Sequence, residues 1–210
     1  MSDDFRIPKR GVVAAITASL GLDQSDESMI ATRLLMFTRL GFPAGSSVGR
    51  GYRGGYTPDQ FWKLILAFQL LEMGVALSRA IAMVNESWDL AYLAISHSLP
   101  DYGDPDRSFV WLAAPAGLQE PNLDRDGPEN GSWNRPILTM SFEHGQSAIG
   151  IAELANVRKY TVINARIVVQ DALEALALPE SGIDAAALDA AMREWASTPM
   201  KRLRQLMTKK

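Results

Sequence analysis

From Gly49 to Gln60 the chain reads Gly-Arg-Gly-Tyr-Arg-Gly-Gly-Tyr-Thr-Pro-Asp-Gln and then runs straight into an apolar stretch, Phe61 to Met73. Gly49, Gly51 and Gly54 admit positive φ and a tight reversal, Arg50 and Arg53 sit at or near the tip, and Tyr52 and Tyr56 give the flanks strand-like, half-buried positions. Thr57 is a natural N-cap, Pro58 fits the first helical position, and Asp59 favours the positive end of the helix dipole. A short basic ribbon that doubles back and then caps a helix has the pattern of a DNA-binding wing.

Two helices are predicted ahead of the ribbon. Val12, Val13, Ile16 and Leu20 share one face from about residue 10, and Gly21 is placed to end that helix. Turn and cap residues from Asp23 to Glu27 precede Met29, Ile30, Leu34, Leu35 and Phe37, which keep helical spacing until Gly41-Phe42-Pro43. Two helices, a ribbon and a third helix make a winged helix-turn-helix. After Gly74 a further helix is predicted from Ala76 to about Val84, with another turn or more from Trp88 to Ser96.

Charge sharpens that reading. The 210 residues carry a formal net charge of −3, which argues against indiscriminate coating of nucleic acid. Between Ser28 and Ala80, however, Arg33, Arg39, Arg50, Arg53, Lys63 and Arg79 face only Asp59 and Glu72, a local +4 that can steer phosphate. From Asp101 to Glu129 the chain instead gathers Asp, Glu, Pro and Gly, and it reads as an acidic connector that divides the molecule. No apolar run is as long as a membrane span requires, the acidic start Met1-Ser2-Asp3-Asp4 lacks a signal-peptide core, and a cytoplasmic location is expected. There is no cysteine, hence no disulfide and no thiolate metal site.

From Gly51 to Val84 the order Gly-Tyr-Arg, tyrosine, Thr-Pro-Asp, a helix with Leu64, Ile65 and Leu70, then Glu72-Met73-Gly74 with Leu77 and Ile81, resembles the wing and following helices of the mercury-resistance regulator (MerR) family. The resemblance covers about a third of the chain. It implies that Tyr52 and Arg53 hold DNA phosphate, that the second helix enters the major groove, and that Arg39 lies near the end of that recognition helix. The chain departs from the family in an extra glycine before Tyr56, a longer connection between the first two helices, and the lack of a long dimerising coiled coil.

The second half is less regular. Pro136 to Phe142 suggests a strand, with His144-Gly145-Gln146-Ser147 turning it towards a second apolar run at Ala148 to Ile151. Val162, Ala165, Val169, Ala172, Leu173 and Leu176, widened by Ile163 and Ile167, recur at helical spacing, and a helix from Tyr160 to Leu176 is expected to join two subunits. One more helix is predicted from Ser181 to about Ala196, its apolar face Ile183, Ala187, Leu188, Ala191 and Trp195, before a basic tail.

The expected class is therefore mainly α. It comprises a winged helix-turn-helix domain over residues 1–98, an acidic connector over 99–131, a small α+β dimerisation or effector region over 132–200, and the tail over 201–210. His97 and His144 stand apart from each other, the five tryptophans read as packing residues, and Pro105 between Asp104 and Asp106 favours turn chemistry over a metal pair. With no phosphate-cradling glycine loop before a helix, no nucleophile elbow and no zinc spacing, the sequence points to no catalytic residue, metal or cofactor. It points instead to a homodimeric, sequence-specific DNA-binding regulator. Ser28, Thr32 and Arg33 would read bases, while Arg39, Arg50, Tyr52, Arg53 and Lys63 would contact the backbone. The rival is an accessory interaction protein of a phage or mobile element that binds protein through the same surface. A third reading is a sensor with an effector pocket among Trp111, Trp133 and the later helix.

Overall fold

The computed structural model describes residues 5–46, 54–100, 107–113, 137–143 and 161–207. Its helices are α1 (Lys9–Ser19), α2 (Glu27–Arg39), α3 (Pro58–Glu72), α4 (Leu77–Ser98), α5 (Ala165–Ala177) and α6 (Ala185–Met207). Three strands, β1 (Arg107–Ala113), β2 (Ile137–Glu143) and β3 (Thr161–Asn164), form an antiparallel sheet in the order β2-β1-β3. The class is mainly α. Two compact units result: one joins Met1–Ile65 with Val169–Lys210, and the other holds Leu66–Val168. The units thus do not follow the linear succession of segments, because the last part of the chain belongs with the first.

In the first unit α1 buries Val12, Val13 and Ile16, and it ends where Gly21 turns at φ +65°. Gly11 lies on its inner face, where an added Cβ would meet Leu176 Cδ2 and Ile183 Cδ1, each at 3.2 Å. A side chain there would have to push the ends of Leu176 and Ile183 aside by a few tenths of an ångström. Helix α2 buries Ile30, Leu34 and Phe37. Its end is folded over by the Phe42 ring, 5.5 Å from that of Phe37. Helix α3 crosses from the first unit into the second, and its Phe61, Trp62 and Leu64 through Phe68 are fully buried.

In the second unit a single helix, α4, replaces the two shorter ones predicted. Asn85 and Glu86 are exposed and cost the helix nothing, while Ala80, Met83, Val84, Ser87, Ala91 and Ile95 keep one buried face throughout. That face packs against β1 and β2. Strand β1 lies inside the segment expected to be a connector. Its acidic flanks masked the run Phe109-Val110-Trp111-Leu112, of which Trp111 is fully buried and donates its indole N–H to the Ala91 carbonyl at 3.4 Å.

The helix expected from Tyr160 begins later. Thr161, Val162 and Ile163 are β-branched and pair with β1, and the turn into α5 is set by Asn164, whose Oδ1 accepts the N–H groups of Arg166 and Ile167 at 3.1 and 3.4 Å. Val168, Val169, Ala172 and Leu176 are buried within the monomer, so this face of α5 is core and not the subunit interface that its breadth suggested. Asp184 caps α6 by accepting the Ala187 N–H at 2.8 Å, three residues after the predicted start, and Leu188, Met192 and Ala196 form the buried face while Ala187 is exposed. The helical backbone continues through Met207, so most of the basic tail belongs to α6.

Candidate nucleic-acid interface

One side chain holds both legs of the ribbon. The Gln60 backbone N–H donates to the Thr57 hydroxyl at 3.2 Å, and the Thr57 N–H donates to Gln60 Oε1 at 3.0 Å, a reciprocal capping box at the start of α3. At its other corner the same amide donates from Nε2 to the Ala44 carbonyl at 2.9 Å. Gln60 is 8% exposed, so these bonds are made away from water, where leaving any of them unmade would cost about 1–3 kcal/mol.

The inbound leg turns on itself after Pro43. Ser46 donates to the Pro43 carbonyl from both its backbone N–H at 3.1 Å and its hydroxyl at 2.6 Å, and Gly45 takes φ +80°. The outbound leg is paired with the amino-terminal segment through an antiparallel bridge, Ile7 N–H to Tyr56 O at 2.8 Å and Tyr56 N–H to Ile7 O at 2.9 Å. Gly55 has φ +153°, and a Cβ there would stand 2.8 Å from Arg6 Cβ and 3.0 Å from the Ile7 carbonyl oxygen. The site therefore demands glycine. Tyr56 also reaches α2. Burial pushes its phenol above the ordinary 10.0, and a side-chain hydrogen bond with Thr38 opposes that rise.

Helix α2 presents two lines of exposed side chains. At helical spacing Ser28, Thr32 and Arg39 make a polar line, and all three are exposed. The Thr32 hydroxyl donates to the Ser28 carbonyl at 2.9 Å, leaving its lone pairs as acceptors. Beside that line run Met29, Met36 and Leu40, which are 39%, 47% and 57% exposed, while Leu35, 37% exposed, stands seven residues after Ser28 and four before Arg39, on the polar line itself. Arg33 is half-buried next to the apolar line.

Of the residues predicted to meet DNA, α2 thus gathers Ser28, Thr32 and Arg39 on one face and sets Arg33 to the side. Lys63 lies on α3 and pairs with Asp59 at 2.7 Å, so much of its charge is answered within its own helix. Arg50, Tyr52 and Arg53 lie outside the described residues, as do Trp133, His144, the Asp104 and Asp106 pair, and the apolar run 148–151. Among the described residues no three His, Asp or Glu side chains gather as a metal site would require, and no helix is long and apolar enough to cross a membrane.

Two residues escaped the sequence reading. Gln60 was legible as the fourth position of a Thr-x-x-Gln capping box, but its grip on Ala44 is a tertiary contact without a local signal. Arg6 lay outside the basic window and is carried to the root of the ribbon only by the Ile7–Tyr56 pairing. No protein-family model, curated protein or solved structure matches the chain.

Proposed function

We propose that the chain is a sequence-specific DNA-binding protein of the winged helix-turn-helix kind, acting as a transcriptional regulator. In this reading the polar line of α2 meets base edges in the major groove, and the ribbon lays Arg50, Tyr52 and Arg53 on the phosphate backbone. The observation that carries it is the Gln60 clasp. On either side of Arg50 and Arg53 in sequence the backbone is held by hydrogen bonds, the Ala44 carbonyl by Gln60 and Tyr56 by Ile7, and Tyr56 is also tied to α2 through Thr38. A loop with no task needs no such root. Two copies are expected on a palindromic site, because one short helix and one wing cover few base pairs.

Fluorescence anisotropy with random-sequence and selected duplexes over a series of salt concentrations tests the proposal. Affinity should fall steeply with salt, and Arg53→Ala should weaken binding to all duplexes alike while lowering the slope of log affinity against log salt by about one. Absence of binding at low salt would reject the reading.

A second reading, docking of a protein partner, is favoured by one observation: Met29, Met36 and Leu40 lie on one face of α2 and its C-cap and are large apolar side chains left exposed. Complex formation through such a face would persist as salt rises.

A further inference from the structure

We infer that the outer face of α2 pairs with the same face of a second copy of the chain, antiparallel and about a two-fold axis; this goes beyond the DNA-binding reading and stands or falls apart from it. A face that meets itself across a two-fold axis has to be complementary between its own two ends. The exposed face of α2 is so in size. Towards its amino end it carries Ser28 and Thr32, and towards its carboxyl end Leu35, Met36 and Leu40, with Met29 the one large exposed side chain in the first half. Laid antiparallel about the middle of the helix, Leu35 and Met36 of one copy fall over Thr32 of the other, and Leu40 falls over Ser28, so that large side chains enter the gaps left by small ones. The apolar surface that a lone chain leaves in water is then covered.

Charge runs the same way along the helix. Asp23, Asp26 and Glu27 cluster at the amino end with no cation among them, and Arg39 is exposed in the last turn. Asp23 and Asp26 stand at N-cap positions yet make no side-chain cap bond, and among the described residues no ion pair engages them or Arg39. An antiparallel pair brings each Arg39 beside the acidic end of the other copy, twice by symmetry, whereas a parallel pair would set Arg39 against Arg39. One helix face is small beside the roughly 800 Å² per partner of a stable dimer, so the association is weak and reversible. Groove entry would use the same face, and the two uses exclude each other.

Sedimentation equilibrium of the full chain, loaded up to about 1 mM, tests this, with circular dichroism to confirm folding. The unaltered protein should show a monomer–dimer equilibrium with a dissociation constant on the order of 100 µM. Leu35→Glu, at a side chain already partly in water, should weaken pairing roughly tenfold by setting a carboxylate in the seam. Arg39→Glu should weaken it about fivefold, and so should Asp23→Lys with Asp26→Lys, because each change sets like charges together. An equal mixture of these last two proteins should regain the unaltered affinity as a heterodimer, since the reversed ends then face each other with opposite charge. A chain that stays monomeric at the highest loading overturns the inference and leaves that face to a different protein or to DNA. A dimer unmoved by Leu35→Glu and by Arg39→Glu overturns it as well, because its interface lies elsewhere. Weakening in both charge variants without recovery in their mixture overturns the antiparallel arrangement. Should Leu35→Glu fail to fold, the charge variants decide alone.

Discussion

The root of the ribbon and the outer face of α2 belong to the same compact unit, yet they solve opposite problems. At the root, polar groups are taken out of water and answered one by one: Gln60 by Thr57 and Ala44, Ser46 by Pro43, Ile7 by Tyr56. On α2, large apolar side chains are left in water, with Leu40 more than half exposed. A root closed by its own hydrogen bonds holds a shape that does not depend on anything outside the chain. An apolar face left open gains stability only when something external covers it. In the proposed DNA-binding reading, the root is the part of the interface that is preset and the outer face of α2 the part that a partner would cover.

The harshest way to break this contrast is to crowd the root. Gly55→Ala drives a Cβ into the Ile7 backbone and the Arg6 side chain at an unfavourable φ, and it should cost roughly 3 kcal/mol of stability, read as a lower urea midpoint. A loss below about 1 kcal/mol would show that the root yields and that its geometry is not preset.

A smaller effect is expected from Tyr56→Phe, which removes the hydrogen bond with Thr38 and should cost about 1 kcal/mol at neutral pH. The unaltered protein should also show a distinctive alkaline limb. Because the folded phenol titrates above 10.0, the unfolded chain gives up this proton first. The tyrosine's contribution is then complete below 10.0 and is lost as pH rises past it. Urea midpoints followed from neutral pH to beyond 10.0 should fall less in the phenylalanine variant than in the parent. Equal slopes would assign the alkaline loss to other groups.

Least expensive to the fold is Met36→Ser, expected to change stability by no more than about 0.5 kcal/mol because the side chain it shortens is half in water. Its effect belongs to binding. If α2 enters the major groove, Met36 and its neighbours suit the methyl groups of thymine, so a duplex carrying deoxyuridine in place of thymine should bind the parent more weakly and Met36→Ser without change. Equal response of both proteins would move Met36 out of the groove and favour protein docking.

How much of this was legible in the sequence depended on how local each signal is. Thr57-Pro58-Asp59, Gly21 and Gly41 punctuate helices by rules that act within a few residues, and the starts and stops they predict are those observed. Asn164 acts just as locally, but the β-branched residues before it share their apolar character with the helix after it, and periodicity alone ran the two together. Trp111 was misplaced by its surroundings, since the composition of a long acidic segment outweighed a seven-residue strand within it. The core role of Val169 was beyond reach. A broad apolar face is the same in sequence whether the chain itself or a second copy covers it, and only the placement of Leu176 against Gly11 decides. Similarly, Met29 and Met36 carried no mark that would tell core from surface.

The first unit is assembled from two stretches separated by everything from Leu66 to Val168, and this has a consequence for how the molecule is made and cut. During synthesis the ribbon and its root are among the earliest residues to emerge, but the groups that line Gly11 and the Trp195 ring that sits 6.3 Å from Trp62 arrive only near the end. Contacts so distant along the chain close slowly and leave apolar surface uncovered in the meantime. A fragment that stops at residue 98 would stay in that unfinished state. Isolating the root of the ribbon in folded form therefore means keeping both stretches.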